Sequence, residues 1–200
     1  MRPRREQTLS VSQGPARIVA TRRTTTGGKV TMTFQPVIPA SGIAGWRFLE
    51  RTYDAQFSAF NAAPEITRDT DYFSAKIADV ESAEDLVSDR RLLRVALGAF
   101  GLEGDIDNRF FIQKILEDGT LNDDALANRL SDTRYQEFSA AFGFGSLEVS
   151  QVKFSDFAPR ITDRFRQQEF EIAVGQQSDT MRIALFAQRE LAKVADSDMG

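Results

Sequence analysis

The chain has 200 residues, of which 42% are apolar and 16 are phenylalanine, enough to build one sizeable core. It contains no histidine and no cysteine, which excludes disulfides, thiol nucleophiles, imidazole bases and zinc sites of the usual nitrogen and sulfur type. The net charge of −4 is uneven, because residues 1–31 are basic and the rest of the chain is acidic. An acidic body repels phosphate backbones, so we expect no nucleic-acid binding by the folded part.

Residues 1–31 are polar, rich in arginine and without periodicity, so we interpret them as a disordered basic tail. Three interpretations of this tail stay open. In the first, which we prefer, Met32 is the true first residue and the sequence before it is translated from an upstream start. In the second, the segment is a solvated tail without a function. In the third, it is a basic arm that binds an acidic partner. No apolar stretch follows the arginines, so the segment does not have the pattern of a secretory signal peptide. No apolar run in the chain reaches the roughly 18 residues that a membrane helix needs.

The first helices after the tail are predicted from an aromatic stripe and from capping residues. Pro36 and Pro39 favour an extended segment that leads into a turn. Ser41 is a suitable N-cap for a helix that runs to about Asn61. We expect the stripe on this helix to pack in the core, with a ligand groove as the minor alternative. A second helix is predicted from about Asp69 to Val80. The stripe consists of Trp46, Leu49, Tyr53, Phe57 and Phe60.

An internal repeat dominates the middle of the chain. Ser82–Asp85 resembles a capping box and opens a short helix that leads into the first copy, Ser88 to Leu102; the second copy is Ser131 to Phe144. Both begin Ser-Asp-x-Arg and end Ala-Phe-Gly, so we predict a capped helix in each and a left-handed glycine at each end. The repeat is defined by Ser88, Asp89, Arg91, Phe100, Gly101, Ser131, Asp132, Arg134, Phe142 and Gly143.

Ser88 and Asp89 are alternative caps for the first copy. The two repeat arginines are expected to pair with Asp89 and Asp132 or with a neighbouring helix, and an anion site is the alternative. Two copies are too few for a solenoid, so we favour an internal duplication.

Two helices are predicted between the copies, and a link after them. The first runs from Asp105 to Glu117, and Asp118-Gly119 ends it. The second starts at Asn122 and runs through Ala125, Leu126 and Leu130 into the second copy. A short extended link is expected from 147 to 152. The first of these helices is expected to bury Phe110, Phe111, Ile112, Ile115 and Leu116.

The C-terminal part is predicted to form two long helices with narrow apolar stripes. Pro159 lies in the first turn of a helix that reaches Gln177, and a last helix runs to about Ala195. A narrow stripe is typical either of shallow core packing or of a seam with another chain. We therefore predict that this segment binds a partner. The stripe contains Ile161, Phe165, Ile172, Met181, Ala184, Leu191 and Val194, of which Met181, Leu191 and Val194 are the candidate contacts.

No motif in the sequence indicates catalysis. Gly28-Lys29 and Gly143-Phe-Gly145 do not complete phosphate-loop patterns, and the acidic turn at Gly119 lacks the ligands of a calcium loop. Asp105 with Asp107, and Asp123 with Asp124, are possible carboxylate pairs, but acidic residues also cluster where helices start. We predict no catalytic residues, no cofactor and no metal site.

Several segments resemble a bacterial domain family of unknown function whose members are often encoded among flagellar genes. They are FSAKIADVESAEDLVSDRRLLRVALGAFGLEGD, RFFIQKILEDG, ANRLSDTRYQEFSAAFGF and FEIAVGQQSDTMRIALFAQREL. The resemblance spans roughly Phe34 to Val194. It implies an all-α fold and a context in flagellar assembly or structure, and it carries no catalytic residues. Because residues 1–31 lie outside the matched pattern, the resemblance favours the late start.

The sequence therefore predicts an all-α protein of seven to nine helices. Residues 32–195 form one domain, with a core at 41–145 and C-terminal helices at 159–195. We expect a non-enzymatic protein that binds other proteins, with flagellar components as candidate partners, in the cytoplasm or at the flagellum. The alternative is a helical domain that binds a small ligand or a cation. The partner, the oligomeric state and export of the protein stay open.

Overall fold

The computed structural model describes residues 34–146 and 148–197, with side chains as far as Ala192, and the predicted tail lies outside this range. The described residues form nine α-helices and two 3₁₀-helices without a strand, which confirms the all-α class. The 3₁₀-helices are Ile77–Asp79 and Glu103–Asp105. The α-helices are α1 (Gly42–Asn61), α2 (Pro64–Lys76), α3 (Ala83–Ser88), α4 (Arg90–Gly98), α5 (Arg109–Asp118), α6 (Leu126–Arg129), α7 (Arg134–Phe142), α8 (Phe157–Gly175) and α9 (Asp179–Ser197).

Helix α8 is the element that the other long helices pack around. It packs against α1, α2, α4 and α9, and its apolar side chains belong to the same core as those of α4. Close approach to α4 occurs at Gly98, where an added Cβ would lie 2.8 Å from the ring of Phe165. The buried side chains of α8 therefore belong to one hydrophobic core with those of the helices between residues 41 and 145. Its buried residues include Phe157, Ile161, Phe165, Phe170 and Val174.

The aromatic stripe of α1 packs on α8 around one ring. Phe170 is fully buried, and the rings of Tyr53, Phe57 and Phe60 meet it edge to face at 5.4–5.6 Å between centroids. Edge-to-face contacts add to the free energy of area burial because the ring edge is positive and the ring face negative. The predicted core role of the stripe is confirmed for these residues.

An extended segment, residues 34–40, lies along α1 without joining a sheet. The side chain of Gln56 accepts a hydrogen bond from the Val37 N–H at 2.6 Å and donates one to the Val37 carbonyl oxygen at 3.2 Å. The side chain of Gln177, just after α8, accepts from the Ile38 N–H and donates to the Pro36 carbonyl oxygen. Two glutamine amides thus satisfy backbone groups that a neighbouring strand would otherwise satisfy.

The start of α2 differs from the prediction. The predicted start near Asp69 assumes that Pro64 lies in the loop between α1 and α2, but α2 begins at Pro64 itself. Proline is favourable at the first helical position, since the first-turn N–H groups have no intrahelical acceptor and the fixed φ suits a helix. In contrast, the capping box at Ser82 and Asp85 is confirmed in both directions, because each side chain bonds to the backbone of the other residue.

The region between the repeat copies contains less helix than predicted. Helix α5 begins at Arg109 after the short 3₁₀ turn, and α6 is one turn long. The sequence predicts Phe110 in the core, but its side chain is 83% exposed, so this prediction is wrong. Its position on α5 is about 170° from the middle of the face formed by Ile112, Ile115 and Leu116, at 100° per residue, so it points away from the core.

The two copies of the repeat end in left-handed glycines, with φ of +68° at Gly101 and +64° at Gly143. After α4, the N–H of Leu102 bonds to the Leu97 carbonyl and that of Gly101 to the Gly98 carbonyl, which is the Schellman pattern. After α7, the N–H of Gly143 bonds to the Ser139 carbonyl alone, which is the simpler αL pattern. The two ends therefore differ in their hydrogen bonds.

Of the two possible caps for the first copy, Asp89 bonds to the helix. Its carboxylate accepts hydrogen bonds from the N–H groups of Arg91 and Leu92 and from the Tyr72 hydroxyl. Burial raises the pKa of Asp89, but these hydrogen bonds outweigh it and hold the pKa below its usual value. The stabilisation is therefore present above the unfolded-state pKa of about 4 and lost as the pH falls through the folded-state pKa.

We expect Asp89→Ala to lower the free energy of unfolding at neutral pH by about 1–2 kcal/mol, because two N–H groups and a hydroxyl lose their acceptor. Ser88→Ala is the matched control and should stay within about 0.5 kcal/mol, since Ser88 is exposed at the end of α3. Urea denaturation of both variants gives the comparison. Equal losses would show that Ser88 shares the capping role.

Candidate functional site

The two repeat arginines occupy equivalent sequence positions but different surroundings. Arg91 donates to the Arg68 carbonyl oxygen, lies over the ring of Tyr72 at 3.9 Å and sits 3.8 Å from the carboxylate of Asp69. Arg134 donates two hydrogen bonds to the Asp132 carboxylate, from Nε and Nη2, and a third to the carbonyl oxygen of Gly101. Arg134 therefore joins the start of the second copy to the end of the first, and both arginines already have protein partners.

The remaining repeat residues have core or surface positions rather than a shared site. The rings of Phe100 and Phe138 pack edge to face at 5.4 Å, and Phe142 contacts Phe138, Phe144 and Phe157. Ser131 is exposed before α7. Phe100 and Gly101 line a small cavity of about 150 Å³ together with Arg134, whereas Phe142 is fully buried in the core. The repeat residues therefore mainly position the helices.

Neither candidate carboxylate pair forms a shared site among the described residues, and Asp105 and Asp107 bind different partners. Asp105 accepts hydrogen bonds from the Tyr135 hydroxyl and the Asn108 side chain, whereas Asp107 pairs with Arg90 at 2.6 Å. Burial and the bond to Asp105 raise the pKa of Tyr135 to about 12. Asp123 and Asp124 are exposed in a loop. Within the described residues, no group of three or more acidic side chains is placed to hold a metal ion.

Helix α9 has two apolar faces, and only one of them is covered. Met181 and Leu185 pack in the core, so Met181 is not available to a partner as the sequence predicts. About half a turn away, Ile183 and Leu191 are 54% and 71% exposed, and we call these two residues the α9 outer face. Phe186 is 49% exposed at the edge of this face, where its ring contacts Arg189 and borders a small cavity. The side chain of Val194 lies outside the described residues, but its position continues this face. Ile183 and Phe186 are missing from the predicted contacts.

A cavity of about 350 Å³ lies between α1, α8 and α9, on the inner side of α9. We call it the α1/α8/α9 groove, and its charged and aromatic lining consists of Trp46, Glu50, Tyr53, Asp54, Glu171 and Arg189. Arg189 and Glu171 form an ion pair at 2.8 Å, with side chains only 16% and 9% exposed. The sequence gives no signal for this pair, because the two residues lie 18 positions apart on different helices.

The electrostatic character of the α1/α8/α9 groove is negative. Three carboxylates, those of Glu50, Asp54 and Glu171, face a single guanidinium, that of Arg189. Burial raises the pKa of Tyr53, and the negative charges of Glu171 and Asp54 raise it further, while Arg189 lowers it. A neutral hydroxyl at the groove is therefore maintained to higher pH than in an unfolded chain.

The comparisons with known proteins identify the family. A family model described as "Protein of unknown function (DUF1217)" matches residues 99–198, which is half of the chain. The chain belongs to the DUF1217 family. The X-ray crystal structure of protein AGR_C_984 from Agrobacterium tumefaciens is similar to it, with a TM-score of 0.67 and 27% sequence identity over 78% of this chain and 70% of that chain. No curated protein matches the chain.

The DUF1217 match includes α8 and α9 but not α1. It begins at Ala99, near the end of the first repeat copy, whereas the resemblance in the sequence extends back to Phe34. The predicted family of unknown function is thus confirmed over a shorter range. Among the described residues of this DUF1217 protein, no helix has the length and apolar character to cross a membrane.

Proposed function

We propose that this DUF1217 protein is a non-enzymatic interaction or structural protein of flagellar assembly, which binds another protein through the α9 outer face. The observation that carries the proposal is the exposure of Ile183 and Leu191, with the exposed Ala187 between them, along one side of a single helix. Clustered exposed apolar side chains are typical of protein interaction sites, whereas single ones are ordinary. The flagellar context rests on the sequence resemblance alone.

The geometry of the α9 outer face favours a helical partner. Ile183, Ala187 and Leu191 recur every four residues, and Phe186 lies beside them. Such a row forms a ridge that fits the groove of a second helix. The partner that fits is therefore a protein helix with an apolar stripe of its own, packed lengthwise along α9.

The test replaces the apolar row with charge. We expect Ile183→Glu with Leu191→Glu to abolish binding to flagellar proteins and to impair swimming, because two carboxylates would be desolvated in the interface. The fold should persist, with a melting temperature within a few degrees of the wild type, since both side chains are exposed. Pull-down from the native organism, swimming assays and circular dichroism are the measurements.

The matched control is Phe110→Glu with Leu121→Glu, which adds the same charge at two exposed apolar residues away from α9. This control should bind and swim as the wild type does. The proposal is wrong if the α9 variant folds, binds and swims normally. Unfolding of the α9 variant would place Ile183 and Leu191 in the core and also contradict it.

A second candidate function is the binding of a small ligand or a cation by the helical domain. One observation favours it, namely the α1/α8/α9 groove, because about 350 Å³ falls within the usual range for small-molecule sites. This candidate uses the inner side of α9, so it does not compete with the α9 outer face.

A further inference from the structure

We propose that the α1/α8/α9 groove binds a small organic cation, a guanidinium or ammonium group carried on a short apolar chain. This inference rests on the second candidate function and names the chemistry of its ligand. It is independent of the α9 outer face, because the groove is lined by the opposite side of α9.

Aromatic side chains supply the first half of the recognition. Trp46 and Tyr53 lie two turns apart on the same face of α1, and both line the groove while remaining partly exposed. The face of an aromatic ring is negative, so it attracts a cation within about 6 Å, and tryptophan is the strongest of these partners. The apolar chain of the ligand would lie against Leu185, which is almost fully buried beneath.

Carboxylates supply the second half. Glu50 and Asp54 are exposed on the rim of the groove and form no ion pair with any of the described residues. The single guanidinium of the groove, Arg189, is engaged by Glu171 at 2.8 Å and by Glu190 at 3.2 Å. Arg47 and Arg51 stand beside Glu50 on the neighbouring side of α1 and do not line the groove. Within the part of the chain that the structure describes, the charge that lines the groove is therefore net negative, which favours a positively charged ligand over an anion.

The raised pKa of Tyr53 agrees with this picture. Burial is the largest cause of the raised pKa, and the negative charges of Glu171 and Asp54 are the next largest. The electrostatic potential at the groove therefore disfavours a further negative charge. The same potential favours a positive one.

The experiment uses the full chain and its single tryptophan, Trp46, as a fluorescent reporter in the groove. The probes are n-butylguanidinium, n-butanol and n-butyrate at constant ionic strength. We expect n-butylguanidinium to change the fluorescence saturably, while the neutral and anionic probes do not. Glu50→Gln with Asp54→Asn should weaken the apparent affinity by about tenfold, because two solvent-exposed charge contacts with the cation are lost.

The matched control is Asp123→Asn with Asp124→Asn, which changes the net charge equally in a loop outside the groove. It should bind as the wild type does. The proposal is overturned if n-butylguanidinium gives no saturable change, if n-butanol binds as tightly, or if Glu50→Gln with Asp54→Asn retains full affinity. Circular dichroism checks that each variant is folded.

A further arm separates two sources of the same chemistry. N-acetyl-argininamide stands for an arginine side chain of a partner protein, and n-butylguanidinium stands for a free small molecule. Tighter binding of n-butylguanidinium assigns the groove to a free cation, and tighter binding of N-acetyl-argininamide assigns it to a partner's arginine. Failure of this test leaves the α9 outer face unaffected, and failure of the swimming test leaves the groove unaffected.

Discussion

Replacing Gly143 with alanine is expected to destabilise the protein by about 3 kcal/mol, from two separate causes. Gly143 has φ of +64°, a conformation that costs any residue with a Cβ about 1–2 kcal/mol. In addition, a Cβ at this position would lie 2.5 Å from the carbonyl oxygen of Val149. That oxygen belongs to the backbone, so the chain after α7 must move for the methyl group to fit.

Variants at two other glycines distinguish the cost of backbone strain from the cost of steric overlap of the added Cβ. Gly42 also has positive φ, but an added Cβ meets nothing within 4 Å, so Gly42→Ala should cost only the strain of about 1 kcal/mol. Gly104 has neither feature, and Gly104→Ala should be close to neutral. Urea denaturation of the three variants gives the order. If Gly143→Ala costs no more than Gly42→Ala, the segment after α7 yields easily and the overlap has no energetic consequence.

Local signals are what the sequence predicts well here. The capping box at Ser82 and Asp85 and the left-handed glycines at 101 and 143 depend on residues within about six positions of one another. The start of α2 at Pro64 also has a local signal, since proline is favourable in a first turn, although proline equally marks a break between helices. Helix geometry likewise explains Phe110, because five apolar residues between 110 and 116 cannot all share one face.

The candidate sites depend on contacts that no local pattern contains. Helix α9 carries apolar residues around more than one face, and only its packing on α8 and α1 decides that Met181 is covered while Leu191 is exposed. Arg91 and Arg134 match in sequence but differ in partners, because α4 and α7 have different neighbours. The α1/α8/α9 groove requires three helices from distant parts of the chain to converge.

The second large effect is expected at Phe170, where α1 docks on α8. We expect Phe170→Ala to lower the free energy of unfolding by about 4 kcal/mol, because a fully buried ring is removed and a cavity remains. Three edge-to-face contacts, to Tyr53, Phe57 and Phe60, are lost at the same time. For a domain with a total stability of about 5–15 kcal/mol, this is a large share.

Phe170→Ala should also loosen the α1/α8/α9 groove, because α1 supplies Trp46 and Tyr53 to its lining. We therefore expect the fluorescence of Trp46 to shift towards that of an exposed tryptophan at denaturant concentrations where circular dichroism still reports helix. Phe154→Ala is the matched control, because Phe154 is about half exposed and its loss should cost less than about 1 kcal/mol. A variant of Phe170 that is as stable as the Phe154 control would mean that α1 is held by other contacts. The extended segment bound by Gln56 and Gln177 would then be the next element to test, since it also connects α1 with the end of α8.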